Sequence, residues 1–277
     1  MPHSYVTVTT VKGTGVLNLT GTAYDTRLRI LIEDISRQVD RFTNRTFQAY
    51  SGTFYYDGDG GTFLHVKDVV SVTSLKEDTN QDGTFETTWD AKDYFLLPHN
   101  AQPTEDWGRA YVTLQVSPKS DGTQDAFLKG PKRYEIVGTF GYVAVTRDSG
   151  VNTSGSWNST TTTLDISSTG TIEPGMSILV DSERMYVESA SGTTISVVRK
   201  ALGSTAGTHA TTVDINYYQH PGPVVEACLI QAARLWRRRD SGFALEIGIP
   251  DLGSIPVRTG LDRDVQELLW PYRRLHV

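Results

Sequence analysis

The chemistry most nearly spelled out in this chain is that of an oxygen-donor loop. Asp78, Asn80 and Asp82 alternate along Asp78-Thr79-Asn80-Gln81-Asp82-Gly83-Thr84-Phe85-Glu86, with Gly83 next and Glu86 closing the run. Alternating carboxylate and amide oxygens around a hard cation, followed by a glycine that permits a sharp turn, are how a calcium loop begins. The bidentate glutamate of such a loop would fall at Trp89, and Val72 to Leu75 ahead of it reads as a strand rather than a helix. The expectation is therefore a β-hairpin turn, with Asp78, Asn80, Asp82 and Glu86 as a weak Ca²⁺ candidate and no other cofactor. Asp57 and Asp59, beside Gly58, Gly60 and Gly61, read as a plainer turn.

Other reactive residue types are scattered. No GxGxxG follows a strand, and there is no phosphate loop ending in GK[ST], no HExxH and no GxSxG elbow. His3, His65, His99, His209, His220 and His276 pair with neither one another nor Cys228 at metal-ligand spacing. Cys228 lies on the apolar stripe of a predicted helix, where a thiol is inert. A hydrolase built on Asp57/Asp59 or Asp78/Asp82 would lack a nucleophile, a base and an electrostatic stabiliser at recognisable spacing, so no enzyme is expected. The remaining concentration of charge is cationic. Arg234, Arg237, Arg238 and Arg239 crowd a helix end, where the negative dipole favours cations, and Arg273 and Arg274 sit near the end of the sequence.

Two amphipathic segments must position these groups. From Thr22 to Phe47, Leu28, Leu31, Ile32, Ile35, Val39 and Phe42 recur at steps of three and four, predicting a helix. Thr22 and Asp25 suggest a capping box, and Asn44 a stop. Beyond Pro221, the residues Val224, Val225, Cys228, Leu229, Ala232, Leu235 and Trp236 form a second stripe, with Pro223 in the first turn. A Gly/Pro-rich loop from Gly242 to Gly260 leads to a short helix capped by Asp262 and carrying Val265, Leu268 and Leu269, which Pro271 is expected to stop.

Between the helical ends the chain is β-prone. Residues 48–145 hold short strand runs at 54–56, 62–66, 69–72, 74–75, 94–97, 110–114 and 134–140, without the helices a βαβ series needs. Residues 146–217 are rich in Ser, Thr and Gly, with strand runs at 162–166, 176–180, 184–188 and 194–198. This spacing predicts an inserted small antiparallel barrel or sandwich, entered through a flexible linker at 149–163. The fold class is α+β: a helical base from segments 1–47 and 218–277, a β-rich excursion over 48–145 and an inserted β module over 146–217. Neither helical end buries its stripe alone, so the two must meet.

Composition sets the outer limits. A hydrophobic fraction of 38% excludes wholesale disorder, and a net charge of −6 argues against a surface that grips nucleic acid throughout. Residues 220–277 are the less acidic part, with 8 Lys+Arg against 7 Asp+Glu. No stretch approaches the roughly 20 apolar residues of a membrane span, and the opening residues do not read as a signal peptide. A soluble protein without a membrane partner is expected.

Both ends also resemble a known family. Ser36, Val39-Asp40, Arg45 and Phe47, set in the helix Leu31 to Phe47, are similar to the first helix of the head-to-tail connector, or adaptor, proteins of tailed bacteriophages. Ala232-Ala233-Arg234-Leu235-Trp236-Arg237-Arg238-Arg239-Asp240-Ser241 resembles that family's penultimate helix, and Asp264 to Arg274, with Leu268-Leu269 and Pro271-Tyr272-Arg273-Arg274, its closing signature. Gly175 to Ala210, including Val197-Val198-Arg199, Gly203-Ser204-Thr205-Ala206 and His209-Ala210, is similar to small β modules of phage structural proteins. The long β region departs from the shorter family members.

The resemblance implies a virion protein at the head–tail junction, assembled in the host cytoplasm. It would form a homo-oligomeric ring, usually a dodecamer, between the portal and the tail-completion or tail-tube protein, with double-stranded DNA passing through without sequence-specific binding. Arg234, Arg237, Arg238, Arg239, Leu268, Leu269, Trp270, Tyr272, Arg273 and Arg274 would form the assembly interface, and the Gly242–Gly260 loop would order on assembly. Two other functions are weighed against this one. The chain could be a tail-completion or decoration protein of the same virion, or the β insert could be a surface or carbohydrate binding module using Tyr186, Tyr217, Tyr218 or Trp157.

Overall fold

The computed structural model describes residues 3–119, 122–168, 170–239, 246–249, 253–256 and 260–274. It is an α+β fold in which helices near both ends flank antiparallel β-structure. Contacts divide the chain into two compact units. One comprises Met1–Arg45, Arg147–Ala201 and Thr205–Val277, and the other Thr46–Thr146 with Leu202–Ser204.

The first unit contains the base. Helix α1 (Val8–Lys12) precedes α2 (Asp25–Thr43), which buries Leu28, Ile32, Ile35 and Val39 of the predicted stripe together with Ser36 and Thr43, while Leu31 and Phe42 of that stripe are half-buried. Asn44 ends α2 in the left-handed conformation (φ 54°), as its position suggested. The Thr22/Asp25 capping box does not form. The helix starts at Asp25, too late for Thr22 to serve as N-cap, and the Asp25 carboxylate takes Lys12 Nζ at 2.6 Å instead. Helix α3 (Gly222–Arg238) buries Val224, Ala227, Cys228, Gln231, Ala232 and Trp236, and packs on α2. Helix α4 (Arg263–Leu269) is capped by the Asp262 side chain, buries Val265 and Leu269, and packs on both α2 and α3. Pro271 does not end the element outright: a 3₁₀ turn, Trp270–Tyr272, carries it on. The Gln231 side chain fastens this closure, Nε2 donating to Gly260 O at 3.2 Å while Oε1 accepts from Asp262 N at 3.2 Å. Arg274 N then donates to Thr43 O at 2.7 Å.

The same unit holds a six-stranded antiparallel sheet. Its strands are β7 (Thr146–Asn152), β8 (Thr163–Asp165), β9 (Ser177–Val180), β10 (Glu183–Ser191), β11 (Thr194–Val198) and β12 (Asp214–Tyr218), in the order β7-β12-β9-β10-β11-β8. The predicted linker at 149–163 is part of this structure. Val151 and Trp157 are buried with Leu164, Ile178, Val180 and Ile215, so the Ser/Thr-rich run carries enough apolar surface to be held. Among the described residues the outer strands β7 and β8 share no ladder; their neighbourhoods meet at a single bridge, Thr153 to Ile166. The segment is an insertion in sequence but is built onto the base in space. Val8 N donates to Pro174 O at 3.1 Å, Ser4 Oγ to Gly175 O at 2.7 Å, and Tyr186 OH to Glu33 Oε1 at 2.8 Å.

The second unit is an antiparallel sheet of β1 (Tyr50–Gly58), β2 (Phe63–Glu77), β3 (Thr87–Trp89), β4 (Tyr94–Leu97), β5 (Tyr111–Val116) and β6 (Gly130–Phe140), ordered β1-β6-β2-β5-β4 with β3 on β2. The three runs expected at 62–75 are one strand. Polar Lys67 and Asp68 interrupt the apolar pattern close to Val69, where β2 changes its pairing from β5 to β6 through register shifts. Trp89 stacks on Phe127 at 4.7 Å and Phe127 meets Tyr134 edge-on at 5.2 Å, filling the core.

Within the expected loop at 242–260, β13 (Glu246–Ile249) pairs antiparallel with β14 (Gly253–Pro256), and apart from Gly260 the rest of that loop lies outside the described residues. No helix among the described residues is long and apolar enough to cross a membrane. Since α2 and α3 bury each other, Ile35→Ala should lower the free energy of unfolding by about 2–5 kcal/mol in a denaturant titration. A loss below about 1 kcal/mol would mean that the stripe is not the seam of the base.

Candidate functional site

The residues expected at an assembly interface divide into those that hold the base together and those that face outward. Leu269 is buried, while Leu268, Arg238, Tyr272 and Arg274 are half-buried. Burial pushes the Tyr272 phenol above its ordinary range. Arg234 reaches Asp262 Oδ2 at 3.1 Å, joining α3 to the cap of α4. Arg237 is exposed and donates from Nη2 to Val16 O at 2.9 Å.

Two exposed arginines lie on aromatic rings. Arg239 sits over Trp236 (4.1 Å to the ring centre) and Tyr24 (5.6 Å), and these two rings meet edge-on at 5.4 Å. Arg273 lies between Trp270 (5.3 Å) and Phe42 (5.5 Å). Each such contact is worth about 0.5–1 kcal/mol at an exposed site. Trp270 remains 62% exposed and Tyr24 48%. Trp, Tyr and Arg are the residues that most often anchor interfaces. The periodicity of α2 gave no sign of Tyr24, which lies just outside the helix; its signal is the aromatic pair it makes with a residue of α3.

The acidic loop is a β-hairpin connection, as expected: β2 pairs with β3 through Leu75–Trp89, Lys76–Thr88 and Glu77–Thr87. Carboxylate oxygens of Asp78, Asp82 and Glu86 all lie within 4.8 Å of one another, so these three can hold a metal ion. Asn80 is turned into the loop's own bonding, its Oδ1 accepting from Asp82 N at 2.9 Å and its Nδ2 donating to Asp82 Oδ2 at 3.2 Å. Asp78 is buried and accepts from Gly83 N at 2.8 Å and Asp82 N at 3.2 Å. Gly83 adopts φ +94°, the turn for which its position predicted glycine. Thr84 N–H, then its hydroxyl, draws the exposed Asp82 carboxyl below its ordinary range. The loop thus brings three carboxylates together.

A third arrangement escaped the sequence reading. Glu183 is buried at the start of β10, and Arg199 clasps it with Nε–Oε1 at 2.8 Å and Nη2–Oε2 at 2.6 Å. Arg199 also donates to the carbonyls of Asn158, Thr161 and Gly207. Glu183 accepts from Gly207 N at 2.9 Å and Lys200 N at 3.2 Å. His209, buried, places Nε2 3.0 Å from Glu183 Oε2 and Nδ1 2.7 Å from Asp181 Oδ2. Burial opposes ionisation of Glu183, but the Arg199 bonds, then Gly207 N–H, His209 and Lys200 N–H outweigh it and hold the carboxyl down to about 2. The spacing of these residues matched no metal or catalytic pattern because their work is to gather the loops at 158–161 and 207–209 around one buried ion pair.

Several other candidates are used internally. Trp157 and Tyr186 are buried, and the buried Tyr218 hydroxyl accepts from Arg184 Nε at 2.9 Å, so these rings are packing and bonding residues of the module. Cys228 is buried and its thiol is pushed upward, first by burial and then by Asp40. Asp57 and Asp59 accept from Lys132 N (2.6 Å) and Gly61 N (2.8 Å), as turn residues do.

Two outcomes are expected. Glu183→Gln should destabilise the protein by about 3–5 kcal/mol near neutral pH, because Arg199 would be left buried without its counter-charge. A carboxyl depressed on folding contributes above its unfolded value of 4.5 and loses that contribution as pH falls towards 2. The gap between wild type and variant should therefore be full above 4.5 and close below it. A gap that stays constant from pH 7 to about 2 would contradict the assignment. At the acidic loop, Tb³⁺ should give saturable luminescence that Glu86→Gln weakens at least about tenfold. Signal unchanged by that substitution would place the ion elsewhere.

No protein-family model matches this chain, and no curated protein is similar to it in sequence.

Proposed function

We propose that this chain is a structural protein of a tailed-bacteriophage virion, a head-to-tail connector whose copies form a ring of about twelve subunits between portal and tail. One observation carries this reading. The two stretches that resemble the connector family lie at opposite ends of the sequence, and α2, α3 and α4 bring them into one compact base. A common ancestor's docking unit would be kept together in this way while the β segments between its halves varied.

In this reading the base is the part that assembles. The exposed Arg237, Arg239, Trp270 and Arg273 meet carboxylates and apolar pockets of a neighbour or of the portal, while Leu269 and Arg234 keep the base in shape. Double-stranded DNA passes through the ring and is not gripped, in keeping with the net charge of −6, since tight phosphate sites would slow its release. The protein performs no turnover; its work is symmetry-matched joining at the head–tail junction. The ion taken by Asp78, Asp82 and Glu86 is Ca²⁺, a hard cation suited to an all-oxygen set. The small sheet is a barrel in outline, with the Thr153–Ile166 bridge as its last seam.

Electron-microscope imaging of the full chain, alone and mixed with its cognate portal, tests the proposal. Rings coaxial with the portal are expected, and replacing Arg237, Arg238 and Arg239 together by alanine should weaken ring formation or portal binding at least about tenfold. Attachment to tails without any ring would favour a tail-completion protein, and binding scattered over the capsid a decoration protein. Either outcome overturns the connector reading.

A further inference from the structure

Residues 3–8 form a strap between α2 and the turn that leads into β9, all within one compact unit. His3, Ser4, Tyr5, Val6 and Val8 are buried. On the helix side, Tyr5 N donates to Ser36 Oγ at 3.1 Å and Arg37 Nη2 to His3 O at 2.7 Å. On the sheet side, Ser4 Oγ donates to Gly175 O at 2.7 Å, Thr7 Oγ1 to Glu173 Oε2 at 2.6 Å and Val8 N to Pro174 O at 3.1 Å. The fit is close: at Gly175, where φ is +98°, a Cβ would lie 3.1 Å from both Ser4 Oγ and Ile32 Cδ1.

His3 is the strap residue whose type changes charge near neutral pH. Its Nε2 lies 3.2 Å from Asp40 Oδ2 and 3.2 Å from Tyr5 OH, while the Tyr5 hydroxyl donates to Asp40 Oδ1. A carboxylate only accepts, so the neutral ring carries its proton on Nε2 and donates it to Asp40. Nδ1 is buried and has no hydrogen-bond partner among the described residues. Protonation there would create an N–H with nothing to receive it and place a positive charge out of water. Asp40 favours that charge, but its carboxylate already takes the Tyr5 hydroxyl and stands 3.8 Å from Arg37 Nε, whose cation opposes it. Burial accordingly holds the His3 imidazole below its ordinary 6.5; Asp40 pulls it upward, and Arg37 and the terminal amino group push it down. Two more titratable groups adjoin these partners. They are Cys228, whose thiol burial and then Asp40 push upward, and His220, whose ring meets Tyr5 edge-on at 4.9 Å.

We infer that His3 makes this segment an acid-released strap: with His3 neutral, residues 3–8 stay seated between α2 and the turn before β9, and with His3 protonated they leave. Unseated, His3 takes a proton below its ordinary value of 6.5; seated, it does so only at lower pH. Closure is therefore complete above 6.5 and weakens, by up to about tenfold per pH unit, as pH falls from there to the value of the seated ring. Release removes the hydrogen bonds by which the strap joins the small sheet to the base, and leaves direct ones such as Tyr186 OH to Glu33. The inference is independent of the connector reading.

Hydrogen exchange on the full chain, corrected for the intrinsic pH dependence of exchange, tests it at the amides of Tyr5 and Val8 from about pH 7.5 to about 5, with the His3 ring followed by NMR. In the wild type the protection of both amides should fall at least about tenfold while that of Ile136 in β6 stays, and the ring should titrate below 6.5. In His3→Phe, which takes no proton, protection should not change with pH. Wild-type protection that holds throughout, a fall shared equally by Ile136, or a ring titrating at or above 6.5 overturns the inference. An equal fall in His3→Phe overturns it too, because another group would then be responsible. Should His3→Phe leave the strap open at every pH, the wild-type amides and ring decide by those same outcomes.

Discussion

The fold depends on a stripe of apolar side chains whose cover includes α1, close by in sequence, and elements far along the chain. Leu28, Ile32, Ile35 and Val39 are fully buried on α2, and their cover includes α3, which begins at Gly222. A short amphipathic helix has little stability in water until such a face is buried. The chain must therefore travel through more than half its length and return before its first long helix is secure. Gln231 makes the return specific: fully buried, it meets both a carbonyl and an amide at the threshold of α4, so the last helix is set by hydrogen bonds as well as by Val265 and Leu269.

Buried ion pairs carry out the corresponding task in each β region. In the small sheet, Glu183 and Arg199 gather the loops at 158–161 and 207–209. In the large sheet, Glu77 accepts from Arg133 Nε at 3.0 Å and Trp89 Nε1 at 3.2 Å, while Arg133 reaches the carbonyls of Thr79 and Lys129. Such pairs add little net stability compared with apolar packing, but once formed they tolerate few alternative arrangements. The second pair also fixes the root of the acidic loop, since Thr79 belongs to it and Asp78 N donates to Arg133 O at 2.9 Å. Carboxylates 78, 82 and 86 converge because a buried arginine holds the loop's first residues in place.

What could be read from the residues follows physical lines. The stripes of α2 and α3, the Asn44 stop, Pro223 in a first turn and the Asp262 cap are local rules, and the structure obeys them. The hairpin reading of residues 78–86 held because the missing twelfth-position glutamate and the preceding strand both argued against a helical calcium loop. Long-range effects were hidden. β2 looked like three strands because its change of partner is written in β5 and β6. The run 149–163 looked like a linker because Val151 and Trp157 are sparse among hydroxyl residues, yet two such anchors suffice against a preformed core. Glu183, Arg199 and His209 are too distant in sequence to be linked by spacing. The platform of Tyr24, Trp236 and Arg239 combines residues more than two hundred positions apart.

The central claim is that the two ends of the chain form one cooperative base. Native-state hydrogen exchange on the full chain, with and without Val39→Ala in α2, measures it directly. If the claim holds, amides of α3 lose as much protection as those of α2, although the substitution is nearly two hundred residues away. Protection in α3 that stays unchanged while α2 loosens would show that the helices are stabilised separately, and would contradict the account.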